Sequence, residues 1–166
     1  MAKVELRGTM RLPEMLTDHG KRAIALSMIA RGQDFQNAAD ALRGRSGSGY
    51  VWRYLVCQAV ELIVKGCLQL RDFDTYSTRK LRSFHHRLLI LADHCSDVYG
   101  VPRPRGEFRE ELRYITSFYE RHELRYASGL DIFVDPNTIP CDRLSRRLRA
   151  LVRLVLRHRN SWELPD

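Results

Sequence analysis

The chain has 166 residues, 44% of them hydrophobic and 29% charged, with a formal charge of +8. That is long enough for one domain with its own core, and it excludes the collagenous and disordered classes. The four cysteines, at 57, 67, 95 and 141, have no C-x-x-C spacing and suit a reducing compartment.

In chain order, the N-terminal MAKVELRGTMRLPEML lacks an apolar run of signal-peptide length, and residues 1–12 are read as an arm. Pro13 is placed to open a helix through Arg31, with Met15, Ala23, Leu26 and Ile29 toward the core and Gly32 near its end. Asp34 would cap a second helix, which stops at the Gly/Ser-rich loop RGRSGSG, residues 43–49, expected to be flexible. From Tyr50 to Leu70 apolar residues cover nearly every side of a helical wheel, which marks a central helix. Its one polar stripe is Gln58, Glu61, Lys65 and Gln69, with the glutamate four residues before the lysine in the favourable order. Because these polar residues interrupt the only segment apolar enough to span a bilayer, no membrane span is expected and a cytoplasmic location is.

A turn, DFDTYST, precedes a fourth helix through LRSFHHRLLILADHCSDVYG, with Gly100 as its stop. A fifth is expected from about Glu107 to His122, with Phe108, Leu112, Ile115 and Tyr119 in register. An irregular stretch, in which only LDIFV alternates as a strand would, leads to the last helix. The fold class is therefore all-α, a bundle of about five to six helices in a single domain over residues 1–166.

The last helix carries the basicity. Residues 143–159 hold seven arginines and no acid, which leaves 21 basic against 20 acidic residues elsewhere. Leu144, Leu148, Leu151, Val152 and Val155 make an inward stripe, and Arg146, Arg149, Arg153 and Arg157 recur on another face. That row is a solvated face with salt bridges, a binding face for anions such as phosphate or, ranked last because the stretch has no Trp or Phe before Trp162 to anchor it, a face drawn to an anionic membrane surface.

Three stretches in order, YLVCQAVELIVKGCLQL, SFHHRLLILADH and SFYERHELRYASG, together resemble the HEPN family of helical domains. Bacterial members of this kind carry an A-x-E-x-x-x-K helix, matched by Ala59, Glu61 and Lys65. A G-H-D-L-like helix start follows, matched by His86 and Leu88, and then an R-Y pair, matched by Arg125 and Tyr126. His85 and Arg87 stand where that pattern has Gly and Asp. The resemblance covers about residues 50–130 and implies a helical bundle that often pairs into a homodimer. Its members' functions range from RNA cleavage to antitoxin pairing and nucleotide-associated roles.

Ribonuclease members use an R-x(4–6)-H motif, in which a guanidinium stabilises phosphorane charge and an imidazole moves a proton. Arg153 and His158 are the catalytic candidates here; Arg79 with His85 or His86, and Arg87 with His94, also have the spacing, which chance readily supplies in so arginine-rich a chain. Five positions on an unbroken helix turn two side chains about 140° apart. No metal-ligand spacing unites His85, His86, His94 and Cys95, no phosphate-cradling glycine loop is present, and no metal or cofactor is expected.

Glu61, Lys65, His86, Arg125 and Tyr126 are expected to share a polar seam, either a self-satisfied buried network or, if it opens to a cleft, a pocket for a nucleotide or small anion. The expected function is that of a non-catalytic, dimeric HEPN-like module that associates with RNA, a nucleotide or a protein partner. A metal-independent endoribonuclease and an antitoxin-like adaptor subunit are the alternatives.

Overall fold

The computed structural model describes residues 16–45, 47, 49–126 and 133–158, the last segment without the side chains at 152 and 154–158. The arm at 1–12, Pro13, Met15, Ser46, Ser48 and residues 130–132 of LDIFV lie outside the described residues. Among the described residues the chain is all-α, with six helices and no strand.

The first helix, α1 (Asp18–Leu42), is one continuous element where the sequence predicts two. Thr17 caps it by accepting a hydrogen bond from the Gly20 amide at 3.2 Å, and Asp18 sits favourably in the first turn. Gly32 does not end the helix, because its missing side chain serves packing. A Cβ there would lie 2.6 Å from Ile63 Cγ1 and 3.1 Å from the Ala59 carbonyl. Gly66 on α2 (Gly49–Arg71) is the reciprocal notch, where a Cβ would meet Ile29 Cγ1 at 2.6 Å and the Ala25 carbonyl at 3.0 Å. A mid-helix glycine costs about 1 kcal/mol relative to alanine; here the close approach of two helices offsets that cost.

The α2 helix is the rod at the centre. It is packed by α1, by α4 (Leu88–Tyr99), by α5 (Gly106–Glu120) and by α6 (Asp142–His158). Val56, Cys57, Ala59, Ile63 and Leu68 on it are fully buried.

Between α2 and α4 the helix expected over residues 81–100 is broken. The short α3 (Thr78–Ser83), capped by Ser77, ends before His85, whose φ of 49° is left-handed, and α4 begins at Leu88. Glycine takes that conformation freely and other residues seldom do. Arg87 stands at the α4 N-cap without a side-chain cap bond, as expected of an arginine where an aspartate would cap. Gly100, at φ 63°, ends α4, with the Val101 amide donating to the Ser96 carbonyl at 2.9 Å.

The segment before α6 is a 3-10 turn, Pro136–Thr138, and Phe133 and Val134 are not in a strand. Buried Arg53 holds this segment by donating to the Ile139 carbonyl at 2.6 Å. Buried Glu111 of α5 accepts the Leu144 amide at 2.7 Å, so a carboxylate caps the start of α6 from another helix.

Candidate functional site

The polar seam of α2 closes on one carboxylate. Lys65 Nζ donates to Glu61 Oε1 at 2.5 Å, while Tyr119 OH, at 2.6 Å, and His86 Nδ1, at 2.9 Å, both donate to Oε2. A carboxylate only accepts, so Nδ1 of His86 carries the proton. Burial pushes the Glu61 carboxyl up, but the hydrogen bonds from Lys65, Tyr119 and His86 together hold it below the usual carboxylate range. Burial, and then the adjoining Glu61 charge, raises the Tyr119 phenol, which therefore keeps its proton. Lys65 reaches on to the His85 carbonyl at 3.4 Å. The left-handed residue His85 thus places both its carbonyl and the next imidazole over the end of this network.

Of the five residues expected on the seam, the structure brings together Glu61, Lys65 and His86. Arg125 and Tyr126 are elsewhere. The α5 helix ends at Glu120, and the chain turns through His122, left-handed at φ 63°, which carries the pair out to the surface. Tyr126 is 58% exposed there, with the Arg125 guanidinium 5.1 Å over its ring. Tyr119 takes the place on the carboxylate. The sequence carries a signal for it: Tyr119 falls in the inward register of α5, and a buried phenol needs a polar partner. Outside the carboxylate the rings of Tyr119, His86 and His122 pack edge to face at 5.1 and 5.0 Å. The Glu61 carboxylate is satisfied from within, with His86 half-exposed beside it, while farther along the same stripe Gln69 is buried and its side-chain oxygen has no partner among the described residues.

The arginines of α6 divide by azimuth. On the side toward α1, Arg149 pairs with Asp40, its Nε donating to Oδ2 at 3.1 Å, so the expected four-arginine row is partly neutralised. On the side toward α5, Arg143 pairs with Glu107 and lies 3.9 Å from Glu111. Arg146 and Arg153 point outward and are exposed, with no carboxylate partner among the described residues. Arg153 Nε donates to the Arg149 carbonyl of its own helix, at 3.3 Å. The α6 backbone runs unbroken from Arg153 to His158, so no helix break reunites that candidate pair; the side chains of Arg157 and His158 lie outside the described residues.

His94 packs between the rings of Tyr76 and Phe84 and pairs its Nε2 with the Tyr76 hydroxyl at 3.0 Å. Among the described residues no group of three or more histidine, cysteine or acidic side chains is placed to hold a metal ion. No described helix is long and apolar enough to cross a membrane. Comparison of the chain with protein-family models, with curated proteins and with solved structures found no match.

Proposed function

We propose that this protein is a non-catalytic, HEPN-like module that pairs into a dimer and associates with RNA or nucleotide phosphates through the outward face of α6. One observation carries the reading. The acids near α6 fasten its two flanks, Asp40 on Arg149 and Glu107 on Arg143, while Arg146 and Arg153 are exposed and have no carboxylate partner among the described residues. Guanidiniums in that position bind phosphate oxygens without reading sequence. The expected α6 catalytic pair supplies little support for turnover, since positions 153 and 158 lie about 140° apart around a continuous helix.

The test is binding of a fluorescent single-stranded RNA to the full chain over a salt series, with the same RNA run on a denaturing gel. Intact RNA and a steep salt dependence are expected, with Arg146→Ala and Arg153→Ala each lowering the logarithmic slope by about 0.7. Cleavage abolished by both Arg153→Ala and His158→Ala would establish the endoribonuclease instead. Absence of RNA binding, with a protein partner co-purifying, would favour the adaptor. Light scattering behind size exclusion reads the dimer, and a monomer mass would remove that part of the proposal.

A further inference from the structure

A cleft of about 540 Å³ opens between α2, α4, α5 and α6, on the side of α6 that bears Arg147. This volume is within the range of pockets that hold small organic ligands, about 300–1,000 Å³. Its walls are apolar, built from Val60, Val64, Phe108, Leu112, Leu148 and Leu151. The polar groups along the walls are committed inward: Tyr99 OH donates to the Cys67 carbonyl at 2.7 Å and Ser96 Oγ to the Ala92 carbonyl at 2.9 Å. With their protons so used, these two hydroxyls can only accept, so the acceptor edges of a nucleobase or ribose would find no hydroxyl donor there, which disfavours such an occupant.

The mouth is different. Arg103, Arg105 and Arg147 ring it. Asp97 holds Arg103 through two hydrogen bonds at 2.7 and 2.5 Å, whereas Arg105 and Arg147 have no carboxylate partner among the described residues. The Arg147 guanidinium lies 5.6 Å over the Phe108 ring. Arg105, Phe108 and Arg147 also line an adjoining basin with Arg143, Arg146 and Glu107, so the apolar cleft leads directly into a cationic rim.

From this juxtaposition we propose that the cleft binds a single-chain amphipathic anion, an acyl chain whose terminal carboxylate meets Arg105 and Arg147. The chain fills the apolar walls, and the head stays at the mouth, where two guanidiniums have no carboxylate partner among the described residues. This goes beyond RNA association and uses different side chains, so the two readings stand or fall separately.

The probe is sodium laurate, kept below its micelle-forming concentration and titrated calorimetrically into the full chain. Decyl alcohol supplies a body without the charge, and butyrate the charge without the body. Laurate is expected to bind one to one, with the alcohol and butyrate each weaker by about tenfold or more. Cys95 gives a local readout, being a half-buried thiol in the cleft wall while the other three cysteines are buried. Laurate should slow its alkylation. Ala92→Trp, which fills the cleft, should abolish laurate binding and leave RNA affinity unchanged. The surface variant Arg105→Glu/Arg147→Glu, which leaves the core untouched, should weaken laurate by about tenfold or more and the alcohol little. Equal binding of laurate and alcohol, no protection of Cys95, or undiminished binding by the charge-reversed variant would overturn the proposal. Loss of RNA binding with laurate binding intact would remove only the function proposed above.

Discussion

Two sets of charged residues in this molecule are handled in opposite ways. Around Glu61 on α2 the fold brings donors from three places, Lys65 one turn away, His86 from the turn before α4 and Tyr119 from α5, and satisfies a single buried carboxylate. On α6 the acids fasten Arg149 and Arg143, and the outward Arg146 and Arg153 have no carboxylate partner among the described residues. The contrast separates charge that is paired in the interior from charge that stays at the surface. Glu61 and Lys65, conspicuous in the sequence because their surroundings are apolar, have their partners inside, whereas of the basic run on α6 Arg143 and Arg149 are paired with acids.

Breaking the comparison at its buried end has the largest expected effect. Glu61→Ala would leave Lys65 as a buried cation without its partner and should cost about 3–5 kcal/mol in chemical denaturation. The same carboxylate gives a pH signature. Its folded-state pKa is depressed, so its stabilisation is present above the unfolded-state value and is lost as pH falls through the folded one. Stability of the wild type should therefore drop below the usual carboxylate range more steeply than that of Glu61→Gln; parallel acid profiles would show that the network adds nothing to this dependence.

Next in size, Gly32→Val should destabilise by about 1–3 kcal/mol, because even the first carbon of the new side chain meets Ile63 and the α2 backbone. A neutral melting temperature would mean the two helices are not so close. Glu111→Ala removes the carboxylate that accepts the Leu144 amide, and about 1–2 kcal/mol is expected, with hydrogen exchange accelerating first at the start of α6. At the solvent end of the comparison, Arg146→Ala should change stability by less than about 0.5 kcal/mol while lowering RNA affinity. A large loss of stability there would show that the arginine is structural after all.

How much of this could be read in advance depends on the range of the physics involved. The α2 and α5 helices follow from periodicity, with Val56, Ala59, Ile63 and Leu68 and then Leu112, Ile115 and Tyr119 buried as their register predicts, and at the start of α6 Leu144 and Leu148 are buried likewise. Gly32 was misleading for a definite reason: a glycine that stops a helix and one that lets another helix approach look alike without knowledge of the partner, here Ile63. The break at His85 was hidden because a histidine gives no sign that it will adopt a left-handed backbone. On the seam, Glu61 and Lys65 were legible as a local pair, and the turn at His122 decided that Tyr119 rather than Arg125 would reach them. The outward arginines were visible as a row, but the pairing of Arg149 with Asp40 spans 109 positions and lies beyond any local pattern.

The glycine notches have one more effect. Ile63 seats over Gly32 and Ile29 over Gly66, a reciprocal fit in which each glycine leaves room for a branched side chain of the other helix. Glu61 lies two residues before Ile63, about 160° around the same helix. Fixing where Ile63 seats therefore also indexes the carboxylate toward α5, so two residues with no side chain aim a charge on the opposite flank of the rod.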